Sequence, residues 1–336
     1  MTQKIRFGIG VPTATEGMMY PVPYAGIDQA IRIAVEAESL GYESVWGNDH
    51  VSTQSYVRRE FQQPPSYFDP LSYLSYLAAV TTEVRLATCV LVLPFRHPVL
   101  VAKQAATLDQ LSGGRFVLGI GVGAYREEFE AMWPDRGLHR GDYVEESVEA
   151  IQLLLRERET SYSGNTVTFN DIESFPKPIQ DPLPILSGGN SPGARQRAGR
   201  FCNGWLPACL TPDEYRDGVA EITREAELNS RTLGDFENAI QVAVSVDSTH
   251  EAAVSRFQSS QVHAHLHSLS SSTLKGKLDA GLEDRNLVGT PEEVREKISH
   301  YADAGVDTFA GLLFAVNTVE ETLESMEMFA EEVIGL

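Results

Sequence analysis

Cysteine is scarce in this chain of 336 residues. The three cysteines are Cys89, Cys202 and Cys209, and no two of them form a Cys-x-x-Cys pair. An odd number at these spacings excludes a disulfide framework and a structural zinc site built on cysteine. Free thiols are typical of a reducing compartment, so the sequence predicts a cytoplasmic protein.

Basic residues are also few. Lysine and arginine number 27 against 47 aspartates and glutamates, which gives a formal net charge of -20 at pH 7. An acidic surface repels nucleic-acid phosphates and anionic lipid headgroups, so we expect neither a nucleic-acid partner nor a membrane surface. No apolar run approaches the length of a membrane span, and the short run near Phe7 does not predict a signal peptide.

Short apolar runs alternate with segments of helical period about eight times. This rhythm predicts a closed parallel barrel, the (β/α)8 TIM barrel, forming one domain over residues 1–336. An open doubly wound sheet is the alternative, but no strand–GxGxxG–helix motif opens the chain. The predicted strands are residues 7–11, 44–46, 84–92, 116–120, 184–186, 202–206, 239–246 and 306–314.

Two segments interrupt the repeat. Residues 161–181, around Gly164-Asn165, predict an inserted hairpin. Residues 263–286 are rich in serine and histidine and predict a long insertion on the side where barrels place their active sites. His263, His265 and His267 would share one face of an extended segment, but no acidic ligand lies at suitable spacing. We therefore predict a loop facing solvent or substrate and no metal site.

A candidate phosphate site follows the fifth predicted strand. Gly188-Gly189 precede a helix that begins at Ser191-Pro192, so bare backbone and a helix N-terminus meet there. Unpaired N–H groups and the helix dipole both favour an anion at such a point. A tight turn with a capped helix is the alternative. Gly113-Gly114 follow a helix instead, and we interpret them as a helix stop without a ligand role.

Two further strand ends carry polar side chains. Asp49 and His50 come directly after the second strand, where a histidine can donate or accept a proton near neutral pH. The alternative is a turn aspartate beside a packed histidine. Thr88 and Cys89 lie within the apolar third strand and either line a cavity or belong to an ordinary buried strand.

These residues together resemble the bacterial luciferase-like family of flavin and deazaflavin enzymes. The Asp-His pair after the second strand carries part of the likeness, and the block from helix to turn to strand at 102–123 is its most specific part. The matching segments are residues 49–50, 93–98, 102–115, 119–123, 127–129, 187–191 and 204–205.

The resemblance implies an α/β barrel, usually a homodimer, with the cofactor ring at the catalytic face. The Asp-His pair looks most like the branch that uses the deazaflavin coenzyme F-420. Asp49 would then contact the cofactor, and His50 would lie near the reacting carbon as a proton donor or acceptor. The segment 88–90 would lie behind the ring, often with a non-prolyl cis peptide, and 187–191 would hold the phosphate. The implied cofactor-binding residues are Asp49, His50, Thr88, Cys89, Val90, Gly123, Ser187, Gly188, Gly189, Asn190 and Ser191.

Ala124 departs from the pattern of the sugar-phosphate dehydrogenases in that branch, which carry a carboxylate there. No aromatic residue follows the Asp-His pair either, since Val51 to Gln54 come next. Both departures argue against glucose 6-phosphate as the substrate.

Three functions remain open. The chain could transfer a hydride between the deazaflavin and a small organic substrate, or act as a monooxygenase on FMNH2 supplied by a separate reductase. A non-catalytic flavin-binding protein is the third, which the intact Asp49-His50 pair disfavours.

Overall fold

The computed structural model describes residues 4–135, 137–269, 274 and 281–335. Its strands follow the predicted apolar runs, most of them within two residues at either end. They are β1 Arg6–Val11, β2 Ser44–Gly47, β3 Arg85–Thr88, β4 Leu91–Val92, β5 Phe116–Gly121, β6 Glu159–Ser163, β7 Thr168–Glu173, β8 Ile185–Gly188, β9 Gly204–Leu206, β10 Glu237–Ile240, β11 Ala243–Val246, β12 Leu287–Gly289 and β13 Thr308–Phe314.

The parallel strands close into a barrel. Neighbours follow the order β1-β2-β3-β5-β8-β9-β10-β13, and β13 pairs with β1 to complete the ring. This confirms the (β/α)8 prediction over the open sheet. The inserted segment 161–181 contributes most of an antiparallel hairpin, β6 with β7, outside the barrel, as its Gly164-Asn165 turn predicts.

The third and seventh strands are not continuous, and the prediction was wrong there. β3 ends at Thr88 and β4 begins at Leu91, and the Cys89–Val90 peptide between them is cis, as the family resemblance implies. β10 and β11 are likewise separated by two residues, and both pair with β13. Apolar runs at a barrel rim do not reveal such breaks, which re-aim the side chains at that point.

Helices cover the barrel, and their ends follow simple capping chemistry. Thr211 and Thr290 each form a capping box with the glutamate three residues later, with proline at the first turn. Gly113 ends α4 in the left-handed conformation, which confirms the predicted helix stop. The helices are α1 Ile27–Ser39, α2 Ser55–Glu60, α3 Pro70–Val80, α4 Pro98–Ser112, α5 Arg126–Met132, α6 Arg140–Arg156, α7 Pro192–Arg200, α8 Pro212–Leu228, α9 His250–Ser259, α10 Gln261–Ser268, α11 Pro291–Asp303 and α12 Val319–Phe329.

The histidine-rich segment begins as a helix, so the expectation of an extended segment was wrong. Ser260 caps α10 by accepting a hydrogen bond from the His263 amide at 3.3 Å, which nucleates a turn that alternating histidines do not signal. His263 and His267 lie edge to face at 4.6 Å between ring centroids, whereas His265 points elsewhere and is buried. The remainder of this insertion, 270–273 and 275–280, lies outside the described residues.

A layer of small and large apolar side chains fills the barrel interior. Cys89 and Val90 pack on this layer but stay part-exposed, so the barrel opens above them. No helix among the described residues combines the length and the apolar character that a membrane span requires. The interior layer consists of Trp46, Ala87, Val117, Leu186, Leu206, Ala239 and Ala310.

Candidate active site

The predicted site residues converge at one rim of the barrel. Asp49 and His50 follow β2, Cys89 and Val90 follow β3, and Gly123 follows β5. The segment 188–191 leads from β8 into α7. Because all these strands run parallel, their carboxyl ends meet at the same face, where TIM barrels carry their chemistry.

Asp49 is almost completely buried, and its carboxylate is already bonded. Its Oδ2 accepts a hydrogen bond from the Val92 amide at 2.9 Å, and Arg96 donates to both of its oxygens. Arg96 also donates to Asp69 at the start of α3. Burial alone would lower the pKa of Arg96, but the two carboxylates raise it above its ordinary value. Asp49 therefore anchors the turn that carries His50.

His50 forms a close pair with a buried glutamate. Its Nδ1 lies 2.8 Å from Oε2 of Glu128, while the other oxygen of that carboxylate accepts the amides of Val51 and Ser52 at 3.0 and 3.2 Å. Burial opposes ionisation of Glu128, yet the contact with His50 and the amide bonds lower its pKa below the usual value. An ionised Glu128 fixes the proton of His50 on Nδ1. Nε2 then makes no hydrogen bond to any described residue.

Aromatic and amide side chains surround the imidazole. The rings of Tyr67 and Tyr125 each lie 5.8 Å from it between centroids. Gln54 places its Nε2 3.0 Å from Nδ1 and accepts the Tyr67 hydroxyl on Oε1 at 2.9 Å. The aromatic wall that is absent directly after the Asp-His pair in the sequence is thus supplied by residues farther along the chain.

A second histidine, His265 from α10, adjoins this wall. Its Nδ1 lies 3.2 Å from the Tyr56 hydroxyl, which in turn lies 3.3 Å from that of Tyr125. Burial raises the pKa of both tyrosines, so their hydroxyls stay protonated. The histidine-rich insertion thus contributes a neutral polar group beside His50, in line with the predicted substrate-facing alternative.

The burial of His265 predicts a pH-dependent loss of stability. Desolvation, with a smaller contribution from His50, lowers the pKa of His265 to about 3, whereas an unfolded histidine titrates at 6.5. Protons therefore bind preferentially to the unfolded chain, so stability that is complete above pH 6.5 is lost as the pH falls toward 3. By pH 5 the expected loss from this group is about 2 kcal/mol.

Urea denaturation at pH 7 and pH 5 measures this loss. The His265→Gln variant is expected to lose less stability between the two pH values than the unaltered protein. His300→Gln changes an exposed histidine of α11 and serves as the control, with an unchanged difference. Identical pH dependence in all three proteins would contradict a neutral, buried His265.

Bare backbone surrounds Val90 beneath the opening. A Cβ on Gly188 would lie 2.4 Å from Val90 Cγ1, and one on Gly121 would lie 2.6 Å from Cγ2. Thr88 is fully buried, and its hydroxyl donates to the carbonyl of Gly119 at 2.7 Å. This hydrogen bond links β3 to β5 in the barrel wall. Desolvation raises the pKa of the Cys89 thiol to about 12, which keeps it protonated near neutral pH.

The segment 187–191 is held rigidly at the start of α7. Ser187 is buried and donates to the Ala194 carbonyl at 2.8 Å. Asn190 exchanges two hydrogen bonds with the backbone of Ala208, at 2.8 and 2.9 Å. Ser191 is exposed and caps α7 by accepting the Ala194 amide. The side chains thus fix the loop, and an anion would meet backbone amides at the helix start.

A cavity of about 970 Å³ opens at this helix start. Ser191 and Gly193 line it, as do Arg126, His139 and Arg140. Arg197 also lines it; only 4% of this residue is exposed, and its Nε has no hydrogen-bond partner in the described part of the chain. A buried unpaired guanidinium N–H beside a helix N-terminus suits a phosphate group, so the residues fit an anionic cofactor.

Sequence reasoning missed four residues of this rim. Glu128 was quoted within the resemblance but not as a site residue, and Arg96, Arg140 and Arg197 were not singled out. Arg140 donates to the carbonyls of Val122 and Gly123, at 3.2 and 2.8 Å. An acid within Glu127-Glu128 that follows a strand end was a usable signal. Arg140 and Arg197 lie on helices and Arg96 in the loop before α4, where charge alone is uninformative. The described residues contain no cluster of side chains suited to a metal ion.

Comparison with known proteins finds relatives that align with most of the chain. An uncharacterized protein of Mycobacterium tuberculosis is 32% identical over 60% of this chain and 73% of its own length. The F420-dependent glucose-6-phosphate dehydrogenase of Kineococcus radiotolerans is 29% identical, covering 90% of this chain and 91% of its own. The FMNH(2)-dependent dimethylsulfone monooxygenase of Pseudomonas fluorescens is 25% identical, covering 99% and 94%.

Solved structures share the fold. Monooxygenase RslO1 from Streptomyces bottropensis superimposes with a TM-score of 0.79 at 22% identity, covering 98% of this chain and 99% of its own. An F420-dependent secondary alcohol dehydrogenase gives 0.78 at 18% identity and covers 99% of both chains. The family model described as luciferase-like monooxygenase matches residues 5–308, which include every residue of the rim described above. This match over most of the sequence shows that the chain is an enzyme of the luciferase-like monooxygenase family.

Proposed function

We propose that the protein is an oxidoreductase that transfers a hydride between the deazaflavin coenzyme F-420 and a small organic substrate. The pairing of His50 with Glu128 at the barrel rim carries this proposal. It places a histidine of defined tautomer at the same barrel rim as the part-exposed Val90 and the segment 188–191. The relative from Kineococcus radiotolerans is named as F420-dependent and aligns with 90% of this chain, which supports the choice of cofactor.

The described residues would form a binding site for such a cofactor. Val90, bounded by Gly121 and Gly188, would back the ring, and Gly123 would lie at its edge. The amides at the start of α7 and the unpaired Nε of Arg197 would receive the phosphate. When bound, the deazaflavin would supply the hydride chemistry. The protein's part is to orient, to shield and to move a proton.

His50 performs the proton transfer in this proposal. Removal of a hydride from a carbon that bears a hydroxyl group requires the hydroxyl proton to leave, and reduction of a carbonyl requires one to arrive. With Nδ1 engaged by Glu128, the unbonded Nε2 is the atom that accepts or donates that proton. Glu128 stabilises the imidazolium that forms, because its carboxylate is ionised and held by two backbone amides.

The second candidate is an FMNH2-dependent monooxygenase served by a separate reductase. It is favoured by the relative from Pseudomonas fluorescens, which aligns with almost the entire chain. The phosphate-binding site at the start of α7 would serve either cofactor. Glucose 6-phosphate stays disfavoured as a substrate, because Ala124 leaves the position after the Gly-x-Gly of β5 without a carboxylate.

A fluorescence titration of the purified protein with the deazaflavin coenzyme, and separately with FMN, tests the proposal. We expect tight binding of the deazaflavin and weaker binding of FMN. Tight binding of FMN alone would replace the proposal by the monooxygenase, with oxygen consumption as the next assay. Failure of both to bind would contradict the assignment of residues 187–191 as the phosphate-binding site.

Two further features belong to the proposal. We propose that the active form is a homodimer in the cytoplasm, as the resemblance and the free thiols predict. Exposed apolar side chains on neighbouring helices, Tyr76 and Val80 on α3 and Leu100 and Leu111 on α4, are consistent with a covered face.

A further inference from the structure

We infer that the hydroxyl of Tyr125 donates a hydrogen bond to the reacting oxygen of an uncharged substrate, and that Tyr56 and His265 hold this hydroxyl in its donating direction. The inference rests on the proposed function and names its substrate class. That class is an alcohol, or the matching carbonyl compound, without a phosphate, carboxylate or ammonium group. The three residues His265, Tyr56 and Tyr125 are called the donor chain below.

The position of the donor chain is the first observation. Tyr56 belongs to α2, Tyr125 is the last residue before α5, and His265 belongs to α10. The ring of Tyr125 lies 5.8 Å from that of His50 and 6.0 Å from that of Tyr56, between centroids. The Tyr56 hydroxyl lies 3.3 Å from the Tyr125 hydroxyl and 3.2 Å from Nδ1 of His265. The chain therefore runs from the buried His265 to the tyrosine whose ring adjoins the proposed proton-transfer residue.

The direction of the chain follows from a count of protons. Burial, together with the charge of His50, holds the pKa of His265 near 3, so at neutral pH its ring carries one proton. With that proton on Nδ1, His265 donates to Tyr56, Tyr56 donates to Tyr125, and the O–H of Tyr125 is available to an acceptor. Ser268 also adjoins both tyrosine hydroxyls, but its proton goes to the His265 carbonyl at 2.7 Å, so it can only accept from them. A substrate oxygen would compete with Ser268 for the Tyr125 proton, and the donors behind that proton strengthen the bond.

Both redox states of an alcohol–carbonyl pair offer an acceptor to Tyr125. A carbonyl oxygen accepts the O–H directly. An alcohol oxygen accepts it while the alcohol's own proton passes to Nε2 of His50 and the electron pair of the carbon–hydrogen bond leaves as hydride to the cofactor. The donated bond stabilises the negative charge that develops on the oxygen. Desolvation raises the pKa of Tyr125, so this residue keeps its proton and binds the oxygen, whereas His50 exchanges the proton.

The charge around the donor chain disfavours an anionic substrate. Desolvation is the main cause of the raised pKa of Tyr67 and of Tyr125, and the negative charge of Glu128 raises both further. Glu16 adds to this effect at Tyr67, and Glu127 adds to it at Tyr125. The arginine that anchors the Asp-His turn already donates to two aspartates. A phosphate or carboxylate group would therefore lose its hydration in a field of like sign.

A cationic substrate is also disfavoured, because the same carboxylates are already bonded. Glu128 is held by His50 and by two backbone amides. Glu16 accepts three backbone amides, and Glu127 accepts both the amide and the hydroxyl of Ser55. An ammonium group would have to displace these donors, and it would also repel the imidazolium that forms during turnover. An uncharged oxygen meets neither cost and gains the tyrosine hydroxyl.

Probes that share a carbon skeleton and differ in charge test the substrate class. The first series is cyclohexanol, cyclohexanone, cyclohexanecarboxylate and cyclohexylammonium, and the corresponding butane and phenylethane compounds form two more. Ligand-detected NMR titration of the deazaflavin-loaded protein measures their affinities, and the absorbance of the deazaflavin measures turnover of the alcohols and ketones. We expect the uncharged members to bind about tenfold tighter than the charged members of the same series.

Removal of a single hydroxyl tests the role of Tyr125. Tyr125→Phe keeps the ring beside His50 and should weaken the binding of the uncharged probes about fivefold, the size of one hydrogen bond. Affinity for the deazaflavin should stay unchanged. Tyr76→Phe is the matched control, because Tyr76 is an exposed tyrosine of α3, and it should bind every probe as the unaltered protein does.

Two variants of His265 separate positioning from packing. His265→Asn retains an N–H donor close to the position of Nδ1 and should keep the affinity for the uncharged probes. His265→Leu fills the site without a donor and should weaken their binding, as should Tyr56→Phe, each by less than Tyr125→Phe. A purely structural role of His265 would give the same affinities in the two variants.

Tighter binding of a charged member than of its uncharged counterparts would overturn the substrate class while the proposed function stands. Binding of no member of any series to the loaded protein would overturn it too. Unchanged affinity for the uncharged probes in Tyr125→Phe would remove Tyr125 from substrate recognition. Failure of the protein to bind the deazaflavin at all would instead overturn the proposed function.

Discussion

Replacement of His50 by alanine is expected to lower the turnover number by about 10²- to 10⁴-fold, the usual contribution of a general acid or base. The affinity for the cofactor should change little, because the proposed binding site around Val90 and the start of α7 does not depend on the imidazole. Stopped-flow kinetics with the loaded enzyme measures the first quantity, and fluorescence titration measures the second.

Glu128→Gln tests the carboxylate that pairs with His50. The amide keeps the two backbone hydrogen bonds on Oε1 but removes the charge that stabilises the imidazolium, so turnover should fall less than in His50→Ala, with an altered pH profile. His250→Ala changes an exposed histidine at the start of α9, is the matched control and should behave as the unaltered enzyme. Undiminished turnover in His50→Ala would remove this residue from the mechanism.

Replacement of Asp49 by alanine is expected to reduce the free energy of unfolding by about 3 kcal/mol, since it leaves a largely buried arginine without its main partner. The side chain of Arg96 is 14% exposed and would keep only Asp69. The Val92 amide would also lose its acceptor. Urea denaturation at pH 7 measures the loss.

Asp69→Ala is the natural comparison for that experiment. Asp69 also pairs with Arg96, but it is half-exposed and caps α3 by accepting the Ser72 amide at 2.8 Å. Loss of such a cap costs about 1 kcal/mol. Equal losses in the two variants would show that the charge of Arg96 is well solvated and that Asp49 is not a buried anchor.

The barrel itself was predictable because each apolar run and each cap is a local signal. Strand ends could be placed within a few residues, and the parallel arrangement then dictates which loops share a rim. That is why Asp49, His50 and the segment 187–191 could be grouped from the sequence alone. The break at Cys89-Val90 was accessible only through the family resemblance, which implied a cis peptide there, since β-branched runs carry no mark of it.

The pairing of the site residues was less accessible. Glu128 lies 78 positions from His50, and nothing local indicates that α5 turns its carboxylate toward β2. Tyr56, Tyr67 and His265 reach the same imidazole neighbourhood from three separate segments. Such meetings are decided by tertiary packing of loops, whose conformation neither periodicity nor propensity determines.

The bonding of Asp49 also bears on the entropy of ligand binding. Through Arg96 and the Val92 amide, this carboxylate ties the end of β2 to β4 and to the start of α3. Tyr143 of α6 adds a fourth element by donating to the Arg96 carbonyl at 2.7 Å. The backbone that presents His50 is therefore preorganised before any ligand arrives, so binding does not have to immobilise it, and more of the contact energy is retained as affinity.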